Sequence, residues 1–414
     1  MKRYLLFFTY LLSFSAIAQD TLQFKDIEPY HYTFQLNNGE LTGEGADFLK
    51  KELSKQYIVM LGEYHSQKSI SKFTSAIIPI LEKENFNHFA LEVGPNTGKI
   101  LNNLNPETLM QDLKSLNKRY QVKDNDGDLY NAIPFFESLE DAGFLQKAKH
   151  FNWNVFGVDQ EFYDSYVMLF DMLFENFSKS QKKKNKSLFL KAKDSLSSYY
   201  QRELLNDESY TTLLLKSKTI KEFFEMSKVQ QKNIPIIESI IKSAEIYKLN
   251  DVGKWSENYQ MRISYMKQML KKELDAKAYN FNKDKLLIKM GRLHLSKGTS
   301  PYSLNEIGNT LHELAEYHNV SALGIGFETR FYIKDDKVID ELDSDNTGVK
   351  NFREFKKFGD KNNWVIIDFR PMRKQIFWYP YPLKKKLNPY LQKLAVNYDI
   401  LIIPPAYSPP TPNH

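Results

Sequence analysis

The sequence predicts an α/β protein: a mostly parallel central sheet flanked by helices, with an inserted α-helical subdomain acting as a lid. Three observations predict it. Short, near-continuous apolar runs recur along the chain and stop at turn residues, as strands buried on both faces do. Helical periodicity lies between these runs, so strand and helix alternate. A central stretch from Asp164 to Asn280 holds one proline, Pro235, and one glycine, Gly253, and is rich in Leu, Met, Lys, Glu and Ser.

Taken in order, residues 1–18 read as a signal peptide. Lys2 and Arg3 form its charged start, Tyr4 to Ile17 its apolar stretch, and Ala16-Ile17-Ala18 its cleavage pattern, so Gln19 begins the mature chain. Residues 19–163 form the first half of the α/β core. Its strands are Tyr57–Leu61, stopped by Gly62; His88–Glu92, stopped by Gly94 and Pro95; and Asn154–Asp159. A helix from Ser69 to Glu84 places Ile70, Phe73, Ile77, Ile80 and Leu81 at helical spacing. Residues 164–280 form the helical insertion, with Lys182 to Lys186 as a solvated helix end or loop. Residues 281–403 complete the core, with strands Leu286–Met290, Ala322–Gly326, Val365–Asp368 and Ile400–Ile403. A helix from Glu306 to His318 carries Ile307, Leu311 and Leu314. Residues 404–414 form a tail whose five prolines exclude regular structure, packed along the surface. No repeat of solenoid period occurs.

Composition narrows the function classes. Of 414 residues, 42% are hydrophobic and 26% charged, which excludes a wholly disordered chain and a polytopic membrane protein. There is no cysteine, so disulfides, thiolate catalysis, Cys-ligated zinc and iron–sulfur clusters are excluded. The formal charge is only +6, with no basic stripe interleaved with aromatics, so no nucleic-acid partner is expected. No later run reaches the roughly 20 apolar residues of a membrane span. The expectation is an exported protein, periplasmic or secreted, with no membrane span after signal cleavage.

Chemistry-bearing residues gather where strands end, the place where open α/β sheets bind ligands. Leu61 to Ser66 follows the first strand and carries Glu63 and His65, a carboxylate and an imidazole suited to activating water or binding metal. Lys289 to His294 repeats the G-x-x-H pattern after a later strand, and Arg292 and Lys297 add charge for an anion or oxyanion. Glu92 and Asp159 end the second and third strands, where an unpaired carboxylate would be costly to bury. Asp159 equally suits a helix cap. Arg262, on a helix near the end of the insertion, can clamp a substrate from above; Arg330 and Arg370 are weaker versions of the same idea. His31, His88, His150, His312, His318 and His414 lack such a context. No G-x-S-x-G elbow, Walker A loop, G-x-G-x-x-G or H-E-x-x-H occurs.

The paired G-x-x-H elements, with a glutamate ending the second strand, resemble the Tiki/TraB/ChaN superfamily, which includes erythromycin-esterase-like hydrolases and ChaN-like haem-uptake proteins. The resemblance covers roughly Gln56 to Ile403. It implies a site built from Glu63, His65, Glu92 and His294. Lys289 to His294 matches the K-x-G-x-x-H element of the esterase-like branch, Arg262 and Met266 its Arg-x-x-x-Met element, and Gly157 to Asp159 its G-x-D element. The first pair departs from that branch. It is Glu63-x-His65 followed by Ser66, nearer the ChaN-like form, while Lys68, Ser69 and Ser71 stand where that form carries a further histidine. The shared site is therefore what carries over, rather than macrolide hydrolysis or haem ligation.

The expected activity is hydrolysis of an ester, lactone or amide in a small molecule or peptide. His65 would be the general base, polarised by Glu63 or Glu92. His294, with Arg262 or Arg292, would stabilise the oxyanion or protonate the leaving group, and Arg292 and Asp159 would meet the substrate. A variant places a divalent metal (zinc, manganese or iron) on some of Glu63, His65, Glu92 and His294. The alternative from another class is a haem- or iron-binding uptake protein that uses the same crevice without turnover.

Overall fold

The computed structural model describes residues 20–21, 27–123, 129–205, 208–344, 347–376, 385–386 and 389–413. The signal peptide expected at residues 1–18 and His414 lie outside the described residues. The fold is α/β. Nine strands form one mixed sheet: β1 His31–Asn37, β2 Glu40–Thr42, β3 Ile58–Glu63, β4 Phe86–Leu91, β5 Asn154–Gly157, β6 Lys285–Gly291, β7 Ala322–Phe327, β8 Trp364–Asp368 and β9 Ile400–Ile403. Their order across the sheet is β2-β1-β8-β9-β7-β3-β6-β4-β5. The six strands from β9 to β5 run parallel, whereas β8, β1 and β2 each pair antiparallel with their neighbours at one edge.

All seven apolar runs read from the sequence lie in this sheet. Their near-continuous character has a direct cause, since alternate side chains enter opposite hydrophobic layers. Val59 and Leu61 of β3 face one layer with Phe89, Leu287 and Ile325, while Ile58 and Met60 face the other with Leu286, Ile288 and Leu401. The β1–β2 hairpin went unread because only one residue in each of its strands is buried, so it carries no apolar run.

Helices cover both faces. They are α1 Glu44–Leu53, α2 Lys68–Lys83, α3 Pro95–Asn103, α4 Leu109–Tyr120, α5 Leu139–His150, then α6 Tyr166–Glu175, α7 Lys179–Leu204, α8 Tyr210–Lys216, α9 Lys218–Ser227, α10 Ile234–Asp251 and α11 Trp255–Ala276, and finally α12 Ile307–Tyr317, α13 Thr347–Lys356, α14 Phe369–Ile376 and α15 Pro389–Asn397. The predicted helices Ser69–Glu84 and Glu306–His318 match α2 and α12 within a residue at each end. Helices α6 to α10 share a hydrophobic cluster of their own, centred on Phe170, Phe223 and Ile240. Pro235 sits in the first turn of α10, where its missing N–H costs no hydrogen bond, and Gly253, at φ 73°, turns the chain from α10 to α11. Lys182, Lys183, Lys184 and Lys186 lie in the N-terminal turns of α7, three of them exposed, a solvated helix end as expected. Among the described residues no helix is long and apolar enough to cross a membrane.

Topology places one crevice. From β3 the chain crosses through α2 to β4, passing β6 on its way toward the β5 edge; from β6 it crosses through α12 to β7, passing β3 in the opposite direction. The two helices pack on opposite faces, α2 through Ile70 and Phe73 and α12 through Ile307 and Leu311. Neighbouring parallel strands whose connections depart in opposite directions leave a gap beyond their carboxyl ends.

Candidate active site

The crevice beyond β3 and β6 has a volume of about 360 Å³ and is lined by Glu63, Tyr64, His65, Glu92, Tyr259, Arg262, Gly291, Arg292, Leu293 and His294. Strand register builds it. Leu61 lies opposite Lys289 and Glu63 opposite Gly291 across the β3–β6 pair, and Leu91 lies opposite Lys289 on the other side. Glu92 follows directly. The backbone beyond β5 stays in step, with the Asp159 N–H donating to the Val93 carbonyl at 3.0 Å, and this carries Asp159 to the same end of the sheet.

Two imidazoles converge on one carboxylate. His65 Nδ1 lies 3.2 Å from Glu63 Oε1, and its Nε2 lies 3.5 Å from Glu92 Oε2. His294 Nδ1 lies 3.0 Å from Glu306 Oε2, and its Nε2 lies 3.5 Å from Glu92 Oε1. Each ring thus has one nitrogen fixed by its own glutamate and the other turned to Glu92, an arrangement that sets ring orientation. Glu92 Oε2 also accepts the Gly291 N–H. A side chain at Gly291 would bring Cβ to 2.9 Å from His65 Nε2 and 3.3 Å from Glu92 Oε2, so the glycine of the second G-x-x-H is what lets them approach.

The surrounding charges are ordered. Lys289, buried in β6, pairs with Glu63 and rests against the Phe144 ring. Arg262 of α11 donates from Nε to Asp159 Oδ1 at 3.0 Å and from Nη2 to both Asp159 Oδ2 and Glu92 Oε1, the latter at 3.1 Å. Burial opposes the guanidinium charge, but Asp159 and Glu92 outweigh it and raise the Arg262 pKa. Burial likewise opposes the Glu63 charge, yet Lys289 and His65 hold its carboxyl below the usual range. For His65, burial favours the neutral ring, but the bond to Glu63 and the charges of Glu92 and Glu63 prevail and raise its pKa. Four carboxylates (Glu63, Glu92, Asp159, Glu306) face two cations (Lys289, Arg262), a charge balance in keeping with the raised pKa of His65.

Of the residues singled out in the sequence, Glu63, His65, Glu92, His294, Arg262 and Asp159 are brought together. Arg292 lines the crevice, but its guanidinium bonds Glu328 at 2.6 Å and the Tyr64 hydroxyl at 2.7 Å. Arg330 and Arg370 do not reach the crevice: Arg330 is paired with Asp340, and Arg370 with Asp368 and Glu52. Lys297 does not line the crevice either. His312 is buried, and burial pushes its pKa down to about 4, which suits a neutral core histidine.

Residues that sequence reading assigned no role complete the site. Glu306, the residue preceding α12, orients His294. Lys289 neutralises Glu63; a lysine inside the apolar run Leu286–Met290 was a readable sign of a buried partner. Phe135, at φ 65°, stacks on His65 with centroids 4.2 Å apart. Tyr259 stacks on Tyr302 at 4.4 Å at the crevice rim, and nothing in their spacing announces it.

The metal variant does not fit this arrangement. Among the described residues no group of three or more His, Asp or Glu is disposed to hold an ion. Two of the expected ligands already carry a cation, Glu63 in its pair with Lys289 and Glu92 in its pair with Arg262.

No protein-family model and no curated protein matches the chain. Solved structures do. A crystal structure of a Bacillus cereus protein is 18% identical over 94% of this chain and 97% of that one, with a TM-score of 0.50. A succinoglycan biosynthesis protein is 17% identical over the same shares, also at 0.50. A mutant of the erythromycin esterase EreC in its open conformation is 14% identical over 91% of this chain and 98% of its own, at 0.47. At such identities the similarity to the first two structures speaks for the fold alone, and that fold extends over nearly the whole chain.

Proposed function

We propose that the crevice is a hydrolytic site acting on an ester, lactone or amide carbonyl of a small molecule or peptide. One observation carries this reading: His65 and His294 each have Nδ1 anchored by a dedicated glutamate and Nε2 presented beside Glu92 in the same crevice. Such a pair can move two protons in one turnover. His65, about a third exposed, is the one that bulk water reaches. Its neutral Nε2 would take a proton from a water molecule as the oxygen attacks the carbonyl carbon. The tetrahedral oxyanion would form beside the cationic edge of Arg262. His294, nearly buried, would donate its Nε2 proton to the departing oxygen or nitrogen as the carbon–heteroatom bond breaks, leaving an acid and an alcohol or amine.

The test is turnover of a panel of chromogenic esters, lactones and amides by the purified protein and by its His65→Ala and His294→Ala variants. Loss of about 100-fold or more in kcat/KM in both, with unchanged thermal midpoints, is the expected result. No turnover of any panel member, or undiminished turnover in either variant, overturns it. The haem-binding alternative draws support from one feature only, the exposed edge of His65. A Soret band on haem titration, lost in His65→Ala, would put it first. Export is part of the proposal and rests on residues 1–18; a secreted or periplasmic product whose N-terminal residue is Gln19 is the outcome that supports it.

A further inference from the structure

The helical segment holds a second cavity, of about 180 Å³, lined by Tyr163, Asp164, Val167, Leu196, Tyr200 and Tyr210 among others. Its wall is aromatic. The rings of Tyr163, Tyr200 and Tyr210 form a triangle with centroids 6.4, 6.1 and 6.0 Å apart, and two of the three pairs meet edge to face. Val167 and Leu196 add apolar surface.

Asp164 stands out within this wall. Its Oδ1 is buried and has no hydrogen-bond partner among the described residues. Burial, with the nearby Glu203 carboxylate adding to it, pushes its carboxyl up to about 7. Asp171, one helix further on, shows what a satisfied buried aspartate looks like here. It accepts from Arg119 at 3.1 Å, Lys193 at 2.6 Å and the Tyr120 hydroxyl at 2.8 Å. A buried carboxylate oxygen without a partner among the described residues, in a cavity of this size lined by three tyrosine rings, is the complement of a cation carrying apolar substituents: the carboxylate supplies the charge and the rings the quadrupole.

We propose that this cavity binds a small organic cation of the alkylammonium class, with Asp164 as its counter-ion and Tyr163, Tyr200 and Tyr210 as its aromatic wall. The site is separate from the crevice. Rings join the two: Phe162, next to Tyr163, meets Phe135 edge-on at 5.5 Å while Phe135 stacks on His65, and Tyr163 meets Tyr247 at 5.3 Å. The proposal therefore stands or falls independently of the hydrolytic reading.

The experiment is a titration of the full-length mature protein with choline, followed by tyrosine fluorescence and calorimetry, with choline's uncharged tert-butyl analogue as the control. The expected result is saturable choline binding at one site per chain, about 10-fold weaker for the uncharged analogue and weakened to a similar degree in Asp164→Asn and Tyr200→Leu. Equal binding of the two compounds, no saturable signal with choline, or unchanged choline affinity in a folded Asp164→Asn variant overturns the proposal. The first two outcomes need no variant, so the test does not depend on a substituted chain folding.

Discussion

Lys289 and Glu63 form a buried ion pair between adjacent parallel strands, and both side chains are less than a tenth exposed. Glu63 also holds His65, so a buried lysine sets the charge behind the candidate base. Replacing Lys289 by Met removes the cation and leaves Glu63 buried. A loss of about 3–5 kcal/mol in unfolding free energy is expected. The double variant Lys289→Met, Glu63→Gln should recover part of it, as a urea-denaturation double-mutant cycle would show. Additive losses would mean that the two side chains are not coupled.

The pH dependence follows from the signs of two shifts. The His65 pKa is raised above its ordinary 6.5. The stability it contributes is complete below 6.5 and is lost as pH rises through the higher folded value. A base must be neutral, so turnover should rise with pH through that same value. Glu63 is lowered from 4.5, so its contribution is present above 4.5 and is lost as pH falls through the lower folded value. NMR titration of the His65 Cε1 proton should give a midpoint above 6.5 that falls in Glu63→Gln. A wild-type midpoint below 6.5 would contradict this electrostatic account.

Arg262 bridges Asp159 and Glu92 through a planar fork. Lysine keeps the charge but cannot make the two-pronged contact. Arg262→Lys is expected to fold and to lose about 10- to 100-fold in kcat/KM, in line with a misplaced positioning group. Steady-state kinetics on the best substrate of the panel checks this, and wild-type kinetics would show that the fork is dispensable.

Glu306 fixes the Nδ1 side of His294. Glu306→Gln retains an acceptor but can equally offer a donor, which permits the wrong tautomer. A fall in kcat on the order of 100-fold or more, with KM and thermal midpoint nearly unchanged, is the expected outcome. A change confined to KM would instead place Glu306 in substrate binding.

The seven core strands and the helices α2 and α12 were legible because burial on both faces, or on one stripe, writes itself into local apolar spacing. The β1–β2 hairpin was not, because an edge with few buried positions leaves no such mark. At the crevice, chain position at strand ends was enough to single out Glu63, His65, Glu92, Asp159 and His294. It could not say how they are paired. Arg262 was expected over the site, and only the packing of α11 against the strand ends shows that its guanidinium is shared by Asp159 and Glu92. Arg292 has the same strand-end position yet is turned to Glu328, a residue just beyond β7 that only the sheet order brings alongside.

By itself the sequence determined the seven core strands, the helices α2 and α12 and which strand ends bear charge, since these follow from local periodicity and the cost of burying polar groups. The tertiary structure alone decided that Glu63 meets Lys289, that His294 meets Glu306 and that both imidazoles face Glu92. Those pairings depend on β6 lying between β3 and β4 and on their register, and strand order is set by how crossover helices pack on the two faces of the sheet, which no local stretch of sequence encodes.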